Sequence, residues 1–357
     1  MKIIATADYH LSLKETHGTM LPSGITSRLQ DKLSLIAESV KYAIDNKADL
    51  FISAGDEFDS LNPPELLRYK FIEVMAPLFE AKIPWRLIMG NHTYNREYYN
   101  MMSEEKLLTL IGRSDFQIIS EPMIEEFSGL PLTYLPWTYI DEAGKFLKAN
   151  PNRIVFGHLP IEGAFLNDYE FSIKGGLTKD ITDTQVFLFM GHYHKYQTSD
   201  NWAYIGSIAK QDFSERNQTK GFLEIDIDDH DLNFKQIPVI DRPFTQFEFV
   251  EPQDPLLLIE ASKFNGDIVK VKLKGTNNWI YSINKVEIST KIEKAGALKA
   301  MPPDIEIVEA SMNKLVFKER SNFADNIKDY CKEQNRMDAE MLMQEILTDV
   351  INTERTI

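Results

Sequence analysis

Residues 49–65 read DLFISAGDEFDSLNPPE. Asp49–Ala54 is an apolar run of strand length. Gly55 follows and lets the backbone approach closely, then comes Asp56. Pro63 and Pro64 suit the first turn of a helix over about 64–82. The same order of strand, polar motif and helix recurs to either side. Apolar runs occur at Lys2–Ala7, Trp85–Met89, Leu132–Pro136, Arg153–Phe156 and Val186–Met190. Segments of helix length, near 28–46 and 64–82, separate the first three strands. Such alternation predicts an α/β layered domain. Near 202–238 the pattern becomes strand-only, at Ala203–Ile205, Gly221–Ile227 and Leu232–Ile237.

Polar residues able to bind metal sit just after these runs: Asp8 and His10, Asp56, Asn91, His158, His192 and His194. Ligands of α/β sheets bind at the carboxyl ends of the strands, so residues far apart in sequence meet at one rim. Five of the seven histidines fall in these positions, within Asp8-Tyr9-His10, Gly90-Asn91-His92, Gly157-His158 and Gly191-His192-Tyr193-His194. A single motif of this kind is usually a turn. Five in order, counting Gly55-Asp56-Glu57-Phe58-Asp59, each after a strand, point to one site.

The residue types suit phosphoryl chemistry. A phosphodiester repels an attacking hydroxide. Two divalent ions about 3.5–4 Å apart neutralise that charge and lower the pKa of water. Holding both ions needs a bridging carboxylate, and Asp56 is placed for it. Imidazole, carboxylate and amide oxygen without thiolate suit Mn²⁺, Fe²⁺ or Zn²⁺ better than Ca²⁺ or Mg²⁺. Manganese is the first expectation.

The order D-x-H, GD, GNH, GH, GH-x-H resembles the calcineurin-like metallophosphoesterase superfamily. Within it, Gly55–Pro64 (GDEFDSLNPP), Tyr204-Ile205-Gly206-Ser207 leading to Phe213 and Glu215, and Arg242-Pro243-Phe244 are similar to SbcD and Mre-eleven-type nucleases. The motifs cover about residues 1–244; beyond that the likeness is architectural. The resemblance implies a layered β-sandwich flanked by helices, with a small α+β cap domain and a C-terminal helical segment. It implies that Asp8, His10 and His194 hold one metal, that Asn91, His158 and His192 hold the other, and that Asp56 bridges. It gives His92 the role of proton donor to the leaving 3′ oxygen. Thr93 stands where the family usually has an acidic residue, and Asp59, one helical turn past Asp56, is the substitute partner for His92. Glu57, in a commonly apolar position, is expected to face water. His17, in the loop after the first motif, reads as solvated, with contact to substrate as the alternative; His230 reads as a surface residue, and Lys195 and Tyr196 as surface or DNA-backbone contacts. The short length is similar to family versions in large bacteriophages.

The bulk numbers fit a globular protein: 43% hydrophobic and 26% charged residues, with no apolar run long enough to span a membrane. One cysteine, Cys331, excludes an internal disulfide and a thiolate-rich zinc site. No signal peptide is visible, so a cytoplasmic location is the default expectation. The net charge of −15 opposes a DNA substrate, because affinity for phosphate normally comes from Lys and Arg. The motifs outweigh it if the grip on DNA is local and shared with metals and a partner. Without a P-loop, the chain does not hydrolyse ATP by that route. The resemblance supplies the motor as a separate SbcC-like coiled-coil ATPase, with this chain homodimeric in a heterotetramer. The expected division is a nuclease domain at 1–243, a cap at 244–310 and a partner-docking segment at 311–357. A helix with an apolar stripe, Met343, Ile346, Leu347, Val350 and Ile351, is expected in the last part. The competing enzyme reading is a phosphatase or cyclic-nucleotide phosphodiesterase on the same scaffold.

Overall fold

A computed structural model describes residues 1–92, 115–166, 175–228, 231–260 and 262–308. Thr93, His230 and the expected C-terminal helix lie outside the described residues.

The chain begins with β1 (Lys2–Thr6), α1 (Ser27–Asp45), β2 (Leu50–Ser53), α2 (Glu65–Glu80), β3 (Trp85–Ile88) and β4 (Phe116–Ile119). It continues with β5 (Met123–Phe127), β6 (Leu130–Leu135), α3 (Ile140–Ala149), β7 (Ile154–His158), α4 (Lys179–Thr182), β8 (Phe187–Gly191), β9 (Gln197–Thr198) and β10 (Trp202–Tyr204). A 3-10 turn at Phe213–Glu215, β11 (Gly221–Ile227) and β12 (Leu232–Pro238) follow. Two six-stranded sheets result, ordered β12-β11-β1-β2-β3-β4 and β5-β6-β7-β8-β10-β9. Their central strands are parallel, with Ile3 opposite Leu50, Phe51 opposite Trp85 and Val155 opposite Leu188.

Side-chain alternation explains the layering. Ile3, Ala5, Leu50 and Ile52 face Tyr134, Phe156, Phe187 and Phe189 in a core between the sheets. Ile4, Phe51, Trp85 and Leu87 face the other way, onto α1 and α2. Val155, Leu188 and Met190 pack outward against α3 through Ala143 and Leu147. The helices carry the matching stripes. In α1, Leu29, Leu33, Ile36, Val40 and Ala43 recur at three- and four-residue spacing, all buried, and the Thr26 hydroxyl caps the first turn by accepting from the Leu29 N–H. Helix α2 buries Leu67, Phe71, Met75 and Leu78. Pro64 is the residue before α2, at ψ 149°, so both prolines precede the helix instead of lying in its first turn. Strands β4 and β5 have no long apolar run: β5 is MIEEF, half-buried along most of its length.

By compactness the chain divides in two, and the first unit comprises Met1–Phe249, Asp254–Lys272 and Asn284–Asp304. Strand β13 (Phe244–Val250) leads out of the sandwich. In β14 (Ile268–Gly275), Ile268 and Val269 pair in parallel with Lys299 and Ala300 of β15 (Lys299–Ala300). Ile268 packs with Phe213 and Phe244. Among the described residues, the second unit takes Val250–Gln253, Leu273–Ile283 and 305–308. There the Glu251 carboxylate accepts from the Thr276 N–H at 2.7 Å. Among the described residues no helix is long and apolar enough to cross a membrane.

Candidate metal centre

The carboxyl ends of β1, β2, β3, β7 and β8 converge, and their turns share one peculiarity. Asp8, His10, Asp56 and His192 all have positive φ, at 54°, 45°, 57° and 98°. Side chains other than glycine rarely adopt this conformation, and it costs of the order of 1 kcal/mol or more each. The turns are held by cross-strand hydrogen bonds: Asp8 N–H to Gly55 O and His10 N–H to Asp56 O, both 2.9 Å. The motif glycines are required by their neighbours. A Cβ on Gly55 would lie 2.2 Å from His158 Nδ1, one on Gly90 2.1 Å from Asp56 Oδ1, and one on Gly191 2.2 Å from Ala54 O. These three glycines thus make room for atoms within or next to another motif.

Asp56 sits at the centre, 2% exposed. Its Oδ1 accepts from the His92 N–H at 2.9 Å, and its Oδ2 lies 3.2 Å from His158 Nε2 and 3.8 Å from His10 Nε2. His158 Nδ1 donates to the Ala54 carbonyl at 2.7 Å, which turns Nε2 toward the cleft. Asn91 Oδ1 lies 3.1 Å from His158 Nε2 and 2.9 Å from His192 Nδ1. Asp8, fully buried, accepts from the His192 N–H at 3.0 Å. His194 directs Nδ1 at Glu215 Oε1 (2.7 Å) and Nε2 at His10 Nε2 (3.0 Å). Ligand atoms of Asp8, His10 and His194 therefore gather in one group, those of Asp8, Asp56 and His158 in a second, and those of His10, Asp59 and His92 in a third.

The electrostatics call for cations. Burial raises the Asp56 carboxyl, but His158 and His10 outweigh this and hold it well below the usual carboxylate range. Burial lowers the His158 pKa, and the Asp56 charge overcomes it to reach about 9. Burial and neighbouring His158 push His192 down to about 3, so its ring stays neutral. Burial likewise lowers His10, as expected of a neutral imidazole ligand. Buried carboxylates, an amide oxygen and inward-turned imidazole nitrogens form a donor set that fits divalent ions, which would displace the His158 proton.

All seven expected ligands come together here. The site opens into a cleft of 380 Å³, with His92 and Asp59 at its edge. Asp59 is not on a helix; its Oδ1 lies between two imidazoles, 3.5 Å from His92 Nδ1 and 3.7 Å from His10 Nδ1. Glu57 does not face water: it is 1% exposed, because the Leu11 N–H binds its carbonyl and draws the segment inward. Nor is His17 solvated. It is half-buried against Phe244 and Phe213, ring centroids 5.2 and 5.9 Å away, and it lines the cleft. Tyr196 is partly buried against the inter-sheet core.

Three contributors were not assigned a role from sequence. Glu215 accepts from His194, and Lys32 and Gln211 hold the β1 turn from behind. The Lys32 ammonium, 2% exposed, donates to His10 O at 2.9 Å and Glu15 Oε1 at 2.6 Å. A lysine on the apolar stripe of α1, one residue before Leu33, was the available hint.

Comparison with known proteins follows this geometry. The family model for calcineurin-like phosphoesterases matches residues 1–225. The SbcD subunit of the nuclease SbcCD from Staphylococcus epidermidis is 26% identical over 358 aligned positions, 91% of this chain and 88% of that one. Among solved structures, a dimetal phosphatase from Danio rerio aligns at TM-score 0.42 and 12% identity, covering 66% of this chain and 95% of that one. An archaeal phosphodiesterase aligns at TM-score 0.35 and 12% identity, covering 67% of this chain and all of that one. Scores this low leave both as distant likenesses.

Proposed function

The chain belongs to the calcineurin-like phosphoesterase family, and from that premise we propose that it is a two-metal DNA phosphodiesterase, the nuclease subunit of an SbcCD-like complex. The observation that carries this reading is the convergence of seven metal-type donors at one rim, with His92 and Asp59 beside them at the edge of the cleft. The choice of DNA over a small ester is supported by the likeness to an SbcCD nuclease subunit, which runs through 91% of the chain and well past the family region.

In this reading Asp8, His10 and His194 would hold one divalent ion and Asn91, His158 and His192 a second, with Asp56 placed to serve both. When bound, the ions supply charge to the phosphate oxygens and make water acidic enough to attack near neutral pH. Manganese is the proposed cellular metal. The protein does the rest. The Ala54 carbonyl fixes which nitrogen His158 offers, and Glu215 does so for His194. The His92 N–H to Asp56 fixes the His92 backbone, and Asp59 faces its Nδ1. His92 is then left to deliver a proton from Nε2 to the leaving 3′ oxygen. Residues 244–310 act as a cap and the segment from 311 as the docking element for a coiled-coil ATPase, within a heterotetramer holding two copies of this chain. The work of the complex is repair, recombination or replication of DNA.

The test is a nuclease assay on duplex and single-stranded DNA with Mn²⁺ or Mg²⁺, with and without the ATPase. The reading predicts Mn²⁺-dependent cutting, abolished by Asp56→Asn and stimulated on duplex DNA by the partner with ATP. Hydrolysis of small nucleotide esters alone, with intact DNA under every condition, would favour the phosphatase reading.

A further inference from the structure

Behind the metal centre runs a hydrogen-bonded chain that reaches Asp8, His10 and His194, the three residues assigned to one ion. Glu215, 6% exposed, engages both oxygens inside the protein. Oε1 accepts from His194 Nδ1 at 2.7 Å; Oε2 accepts from the Gln211 N–H at 2.9 Å and pairs with the buried Lys220 ammonium at 2.7 Å. The Gln211 side chain continues the path. Its Nε2 donates to Asp8 O at 3.2 Å, and its Oε1 accepts from Lys32 Nζ at 2.7 Å. Lys32 in turn donates to His10 O at 2.9 Å. Glu215, Gln211 and Lys32 thus grip Asp8, His10 and His194, and two of these three have left-handed backbones that need external support. The other group is backed differently: His158 donates to a main-chain carbonyl, and His192 Nδ1 faces the Asn91 amide oxygen.

We propose that Glu215, through Gln211 and Lys32, is a positioning residue for one metal ion alone, so that the two ions are bound by sites of unequal rigidity and donor strength. The physical reason is twofold. A carboxylate behind an imidazole fixes the Nδ1–H tautomer and makes Nε2 a stronger donor than a carbonyl does. A carboxylate fixed by Lys220 and Gln211 also cannot swing toward the ion itself, so it acts from behind. The arrangement converts a strained turn and a distant 3-10 turn into one rigid three-donor face.

This inference rests on the two-metal reading, and the test separates the two. Mn²⁺ binding to the full chain is followed by calorimetric titration and by electron paramagnetic resonance, which distinguishes a coupled ion pair from a lone ion. The wild type binds two ions; fewer would overturn the two-metal reading itself. Glu215→Gln keeps size and shape but removes the charge. It weakens one ion about 10–100-fold, leaves the other within about twofold, and yields a lone-ion spectrum at intermediate Mn²⁺. Gln211→Ala, which leaves His194 untouched, weakens the same ion by a smaller factor and decides the matter should the first variant fail to fold. Thermal melting in chelator separates a lost fold from a lost ligand. If the folded variants bind both ions as the wild type does, or lose both equally, the proposal fails.

Discussion

At the scale of single residues, the centre divides into groups that hold charge and one group left free to move a proton. His92 has its main chain tied to the Asp56 carboxylate, while its ring, 38% exposed, reaches the cleft. His92→Ser should therefore keep Mn²⁺ affinity within about twofold and lose about 10²–10⁴-fold in cleavage rate, the usual yield of general acid catalysis. Single-turnover cleavage beside a Mn²⁺ titration checks this, and an unchanged rate would make His92 structural. Asp59 is less simple, because it faces His10 as well as His92. Asp59→Ala should give a milder loss of rate together with a measurable loss of metal affinity, and rate loss alone would show that its contact with His10 carries no weight. The ligand types were legible in sequence because donors of this kind are scarce and each followed an apolar run. Lys32 and Gln211 were not, and Glu215 stood out only as a motif residue without a role, because a buried carboxylate or ammonium looks like a surface residue until its partner is seen. Glu57 was misread for the same reason.

The elements show why the site could be read from strand ends. Parallel strands β1, β2, β3, β7 and β8 end at one rim, so a polar residue one to four positions past each apolar run arrives there. Sequence could not show the strain in backbone geometry, four non-glycine ligands at positive φ. Nor could it show that the motif glycines are spacers for other motifs. Gly90 is the sharpest case: it has an ordinary φ, yet a Cβ there would lie 2.1 Å from the Asp56 carboxylate oxygen. Gly90→Ala should displace that carboxylate and weaken Mn²⁺ binding at least tenfold, with a loss of fold stability of about 1–3 kcal/mol from overpacking. Titration and melting of the metal-free protein measure both, and wild-type Mn²⁺ affinity would refute the spacer role. Strands β4 and β5 escaped a reading by apolar runs because their faces are only half-buried. The prolines before α2 were placed one step too late because proline suits both the first helical position and the extended residue ahead of it.

For the whole molecule the outstanding tension is charge. A net −15 leaves few cations to displace counterions from DNA, so the chain alone should hold duplex DNA weakly and owe its grip to the ions and to its partner. Cutting the chain after about residue 320 should spare hydrolysis of a small nucleotide ester and abolish both co-purification with the ATPase and ATP-stimulated duplex cutting. Full-affinity partner binding by the truncated chain would shift the docking role to residues 244–310. The layered sandwich could be foreseen because strand and helix periods alternate plainly through its first half, whereas the elements after Phe244 are short, with β14 alternating buried and half-buried residues along most of its length. The most direct test of the account is anomalous diffraction from crystals of the full chain grown with Mn²⁺. It predicts two peaks about 3.5–4 Å apart, with Asp56 between them and Asp8, His10 and His194 on one side. A single peak, or two that do not share Asp56, would contradict it.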